Sequence, residues 1–221
     1  ISILPYFISN VNPKNAYEVK KMKNSDIAKA VIRSQHCQRN WDLNKVIPEE
    51  DIKLLETAIT ECPSKQNFAF YKANFITDRK TIEAIHENTE GFGVLANPEE
   101  PFSKDNIKWT TNSQTLANLL VVMEYVEPTD YHKWRDETFD NPWKRDADMA
   151  VGVAAGYLNV IASIKGYRTG CCACLDNKAI KEILNTENDI ALMMGIGYKD
   201  ESRPRREHMT DEDFTFPALK K

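Results

Sequence analysis

The run Asp148–Ile164 constrains this chain more than any other segment. It reads Asp-Met-Ala-Val-Gly-Val-Ala-Ala-Gly-Tyr-Leu-Asn-Val-Ile-Ala-Ser-Ile, apolar on nearly every helical face, and such a helix must be covered on nearly every face. Asp148 is a candidate N-cap and Gly166 a candidate stop. Asn159 interrupts the run, Lys165 ends it and no second apolar run accompanies it, so a membrane span is rejected. Two readings stay open. Either this is the central core helix of one chain, or its small residues (Gly152, Gly156, Ala150, Ala154, Ala155) admit a second copy, placing a two-fold interface in the middle of the protein.

The 221 residues suit one large domain, since no internal stretch reads as a linker. We expect an N-terminal extension over 1–25 and a domain over 26–221, with a polar and aromatic excursion at 127–145 capping it. The net charge of −4 gives no electrostatic support for nucleic-acid or acidic-membrane binding. Five cysteines, three of them clustered at Cys171, Cys172 and Cys174, argue against a disulfide framework and for a reducing cytoplasm. The opening Ile1–Ser9 is apolar but short, holds Pro5, lacks a basic leader and is a poor signal peptide.

In order, the patterns predict helices over Asp26–Ser34, from Pro48 to Glu61, over Asp78–Asn88 and over Asn177–Leu184. His86 is expected on an exposed helix. Strands are predicted at Phe70–Thr77, Leu116–Tyr125, Thr169–Leu175 and Ile190–Gly197, and Glu90–Lys108 reads as loop. The class is α+β, with helices around one sheet of four or five strands.

Several signatures of chemistry are missing. No Gly-x-Gly-x-x-Gly, Walker loop or Gly-x-Ser-x-Gly occurs. The cysteine cluster lacks a Cys-x-x-Cys pair and downstream histidines, so no metal site is expected. What remains is four polar clusters beside apolar elements: Arg33–Arg39, Pro63–Asn67, Asn112–Gln114 and Arg203–Arg206. Singly each is an ordinary solvated loop. Together they suit one anionic, planar ligand, because guanidinium forks match phosphate oxygens and amides match a ring edge of alternating donors and acceptors.

These stretches carry a resemblance. Gln35-His36-Cys37-Gln38-Arg39-Asn40-Trp41-Asp42, Pro63-Ser64-Lys65-Gln66-Asn67, Asn112-Ser113-Gln114, the apolar helix ending in Gly166, and Ile196-Gly197-Tyr198 followed by Arg203–Arg206 occur in an order that resembles the FMN-dependent nitroreductase family. The resemblance covers about residues 26–206. It implies an α+β sandwich with a central, mostly antiparallel sheet flanked by helices, forming an intertwined homodimer with FMN at the subunit interface. By it, Arg39, Asn112 and Gln114 face the pyrimidine edge of the flavin, and Pro63, Ser64, Lys65 and Asn67 come from the other subunit. Cys172, Ala173 and Cys174 line the ring, with backbone N–H groups of Ala173 and Cys174 directed to flavin N5; no side chain is then required as nucleophile. Arg203, Arg205 and Arg206 hold the phosphate, within a set that includes Gln35, His36 and Cys37. Gln35 and Cys37 replace the family's first arginine and serine, so phosphate binding leans on the tail arginines, or on Arg33 through a shifted register. The implied reaction passes hydride from NAD(P)H through FMN to nitroaromatic or quinone acceptors, with Tyr131, Trp134 and Phe139 either stacking on flat substrates or anchoring the excursion. Relatives with other FMN chemistry (oxygen-dependent oxidation, dehalogenation) and a flavin-binding sensor are the alternatives.

Overall fold

The computed structural model describes residues 22–34, 37–91, 93–97, 99–101, 103–109, 111–126, 129–139 and 143–202. At its centre is a four-stranded antiparallel sheet of β1 (Tyr71–Ile76), β4 (Leu119–Tyr125), β5 (Arg168–Cys172) and β6 (Ile190–Gly197), in the order β1-β4-β6-β5. Its inner strand β4 is Leu-Leu-Val-Val-Met-Glu-Tyr, and all but its last residue are buried. A strand covered on both faces has to read this way. Leu119, Val121 and Met123 join the core on one side, with α2 (Glu49–Thr60) and α5 (Trp143–Ile164). Leu120 and Val122 join the core on the other, with α3 (Arg79–Glu87) and α6 (Asn177–Leu184). The chain is thus an α+β sandwich with helices on both faces of an antiparallel sheet.

Helix α1 (Asn24–Ser34) packs along α5, and α4 (Asp130–Phe139) precedes it. Local signals set several limits. Asp78 caps α3 by accepting from Thr81 N, and Asp176 caps α6 by accepting from Ala179 N. Gly166, at φ +94°, ends the turn after α5, where Tyr167 N bonds back to Ala162 O.

Two expectations are corrected. The central helix starts at Trp143 rather than Asp148, because Asp146 in its first turn is buried against Lys65 (2.9 Å) and the helix takes up residues too polar to read as core. The stretch 90–108 carries a short hairpin, β2 (Gly93–Leu95) paired with β3 (Ile107–Trp109). Most of the described excursion is the helix α4. Finally, α5 is not covered all round within one chain. Ala147, Ala150, Val151, Ala154, Leu158 and Ala162 are buried, whereas Met149 (51%), Val153 (39%) and Tyr157 (46%) are exposed. Between them, Gly152 and Gly156 have no atom within 4 Å of where a Cβ would stand.

Candidate functional site

Two loop segments lie on the end of the sheet formed by β5 and β6, and glycines make room for them. A Cβ on Gly195 would fall 2.0 Å from the Gln114 carbonyl oxygen, and one on Gly170 would fall 2.5 Å from that of Gln38. The first segment, 38–42, is stitched down by Gln38 N to Thr169 O (2.7 Å), Trp41 Nε1 to Ser113 O (2.9 Å) and Asp42 N to Tyr198 O (2.9 Å). This leaves Arg39 half-buried beside β5. The second segment is the single 3₁₀ turn Ser113–Thr115, capped by Asn112, whose Oδ1 accepts from Gln114 N. Gln114 is buried.

That turn is held from α3. His86 Nδ1 lies 3.1 Å from both Asn112 O and Thr115 Oγ1, and Asn112 N donates to Thr89 Oγ1 (2.7 Å). His86 is therefore half-buried, contrary to the exposed position expected. Burial depresses its imidazole pKa, the Arg79 charge adds to this, and the Asn112 bond and Glu87 oppose it. Asn112 Nδ2 reaches Cys172 Sγ (3.0 Å). Burial pushes the Cys172 thiol up to about 11, although Asn112, the Cys174 carbonyl and the Arg39 charge pull the other way. Burial, with Cys37 and Cys172 nearby, pushes Cys171 up to about 12. Both sulfurs are therefore thiols at neutral pH and poor nucleophiles. Just beyond them, Ala173 and Cys174 are exposed, and among the described residues neither backbone N–H has an acceptor.

The structure thus brings Arg39, Asn112, Gln114, Cys172, Ala173 and Cys174 to one end of β5. Arg33 lies near the opposite end of that strand, donating Nη1 to Ser163 O (3.1 Å). Cys37 is exposed at the start of the 38–42 segment. Among the described residues the loop Pro63–Asn67 makes no hydrogen bond to this cluster. Lys65 is paired with Asp146 near the start of α5. Pro63, Ser64 and Lys65 instead line a cleft of about 310 Å³ with Met149 and Val153 on the bare side of α5. Tyr131, Trp134 and Phe139 fall in α4; Trp134 is exposed (54%). Trp143 is an anchor, edge-on to Tyr125 at 6.3 Å. Gln35, His36, Arg203, Arg205 and Arg206 lie outside the described residues. Among the described residues no group of three His, Cys, Asp or Glu is arranged to hold a metal. His86, Thr89 and Thr115 hold the Asn112 turn, and no spacing in the sequence marks them.

No family model and no curated protein matches the sequence. Solved structures do match its fold. A nitroreductase family protein from Clostridium novyi NT is 14% identical, with 84% of this chain and 89% of that one covered at a TM-score of 0.58. A candidate NAD(P)H:FMN oxidoreductase from Staphylococcus epidermidis is 15% identical, with coverage of 89% and 98% and a TM-score of 0.58. A candidate nitroreductase in complex with FMN, from Exiguobacterium sibiricum, is 14% identical, with coverage of 87% and 96% and a TM-score of 0.58. The chain has the nitroreductase fold.

Proposed function

We propose that the protein is an FMN-dependent oxidoreductase working as a homodimer in the cytoplasm. The observation that carries the reading is the donor set at the end of β5: a guanidinium (Arg39), two amides (Asn112, Gln114) and two N–H groups without an acceptor among the described residues (Ala173, Cys174), gathered in a fold that holds FMN in a structural neighbour. These groups fit a flavin edge by type, since guanidinium and amide donors match its oxygens and the free N–H groups match a ring nitrogen. Bound there, FMN would supply two-electron transfer from NAD(P)H to an electron-poor acceptor such as a nitroaromatic or quinone.

The chain's own residues then have distinct tasks. Arg39 would hold a fixed positive charge at the ring edge, and the anchored 38–42 segment would keep it there without reorganisation. His86 and Thr89 orient Asn112. Pro63, Ser64 and Lys65 line a cleft on the bare side of α5, and with Asn67 they serve the site of a second copy. The exposed stripe Met149–Val153–Tyr157, with the bare Gly152 and Gly156, is where that copy packs. Trp134, exposed on α4, offers a surface for a flat acceptor, and Arg203, Arg205 and Arg206 add positive charge for the phosphate.

The test is the visible spectrum of purified protein, before and after NADH or NADPH without oxygen. Flavin bands that bleach support the reading, and Arg39→Ala weakens flavin binding or slows bleaching. Flavin bands that neither donor bleaches favour a flavin-binding sensor. A colourless protein that cannot be reconstituted with FMN overturns the assignment.

A further inference from the structure

The cysteine cluster at the end of β5 is divided between the faces of the sheet. Cys171 packs on the core shared with α2 and α5, and Cys172 joins the core shared with α3 and α6. Cys174 lies beyond the strand and is exposed. Cys172 Sγ lies 3.5 Å from the Cys174 carbonyl oxygen, so its side chain leans along the chain toward Cys174. Residues two apart in sequence stand at most about 7 Å apart at Cα, the upper end of what a disulfide spans. Asn112 Nδ2 meets the same sulfur at 3.0 Å. An amide donor aimed at a sulfur favours a thiolate developing there, and the Arg39 charge acts in the same sense. A cysteine that merely fills space needs no such donor. The peptide units on either side of Ala173 carry the N–H groups of Ala173 and Cys174, which have no acceptor among the described residues. A bond between Cys172 and Cys174 would close a small ring through both of those peptide units.

We infer that Cys172 and Cys174 form a reversible disulfide that re-aims these two N–H groups, so that oxidation turns the site off. The step needs a two-electron oxidant, here a low-molecular-weight disulfide such as oxidised glutathione. The exposed Cys174, as thiolate, attacks one sulfur of the oxidant, forming a mixed disulfide and expelling a thiolate. Cys172 gives its proton to that thiolate and attacks the Cys174 sulfur. The second half of the oxidant leaves and takes up the proton that Cys174 lost. Two protein thiols become one disulfide, and the oxidant becomes two thiols. Burial suppresses the Cys172 thiolate, so closure is slow and the switch answers sustained oxidation. Closing the ring fixes the two peptide units inside it, and the ring then sets where their N–H groups point. The disulfide stands without the flavin reading above; its effect on flavin reduction rests on that reading.

The experiment treats purified protein with oxidised glutathione, denatures it, alkylates free thiols with iodoacetamide and maps tryptic peptides by mass spectrometry. Residues 169–178 form one such peptide, which carries Cys171, Cys172 and Cys174. Untreated protein should be alkylated at all three. Treated protein should have lost two hydrogens in this peptide and keep alkylation at Cys171 alone, and dithiothreitol should restore all three. In parallel, bleaching of bound flavin by NADH or NADPH should slow about 10-fold or more after treatment and recover with dithiothreitol. Cys174→Ser and Cys172→Ser should each bleach at one rate with or without the oxidant, whatever that rate is, and Cys171→Ser should stay sensitive. Cys174→Ser, at an exposed position, decides if Cys172→Ser fails to fold. A glutathione adduct on Cys174 without the ring, alkylation that moves off Cys171, a link to Cys37, or no oxidation at all overturns the disulfide. A ring that forms while bleaching is unchanged overturns the switch. If the protein binds no flavin, the flavin reading fails by itself, and the peptide map decides the disulfide.

Discussion

Glu124 shows how one residue can serve three elements. It is the only charged side chain in β4 and is 1% exposed. Its carboxylate accepts from Thr186 Oγ1 (2.7 Å), Asn188 Nδ2 (3.1 Å) and Asn74 Nδ2, tying β1 and the α6–β6 loop to the central strand. Burial alone would raise its pKa, but these donors outweigh it and hold the carboxyl below its usual 4.5. A folded-state pKa lower than the unfolded one adds stability that is complete above the unfolded value and is lost as pH falls through the folded one. Glu124→Ala, which orphans three donors and leaves a void, is expected to cost about 2–4 kcal/mol near neutral pH by urea unfolding. Glu124→Gln should cost less and flatten the loss of stability below about pH 4.5. Parallel acid curves for wild type and Glu124→Gln would refute this account. At this scale the sequence is only partly legible. Arg39, Asn112 and Gln114 can be grouped from their chemistry, whereas His86 cannot, because what buries it is a turn 26 residues away.

Elements with their own stop signals are the legible ones. The sequence places α6 at Asn177–Leu184 and β6 at Ile190–Gly197, where the structure has them. Asp176 caps the helix, and Asn185, in the left-handed region at φ 50°, ends it. The hairpin β2–β3 escapes notice because its strands have three residues each, too few for an alternation to show. The start of α5 escapes because its first turn is stabilised by an ion pair to a distant loop. Loops laid onto strands are a further consequence of local sequence, and Gly195 tests it. Gly195→Ala would set a methyl 2.0 Å from a backbone oxygen and 2.9 Å from Ala117 Cβ. It is expected to cost about 3 kcal/mol or to dislodge the 112–115 turn. Amide exchange at Gln114 and Thr115 would report the second outcome, and an unchanged midpoint with unchanged exchange would rule out both.

The α+β class of the whole molecule is legible because the apolar runs have the lengths of strands and the amphipathic ones the lengths of helices. The candidate site is less so. Arg39, Asn112 and Gln114 gather beside β5, whereas Pro63, Ser64 and Lys65 line a cleft on the bare side of α5; the proposed second chain would unite them. Gly156→Leu addresses this directly. Nothing lies within 4 Å of the new Cβ in one chain, so the protein should fold, with its circular dichroism unchanged. The added side chain would obstruct the close approach of a partner, and sedimentation should report monomers with reduced flavin content. A dimer that survives with full flavin would refute the interface placement. Helix α5 has one flank turned to its own sheet and the other flank bare. If a twin covers that bare flank, the fold's resistance to heat becomes a matter of mass action: diluting the protein should lower its melting temperature while its covalent chemistry stays the same.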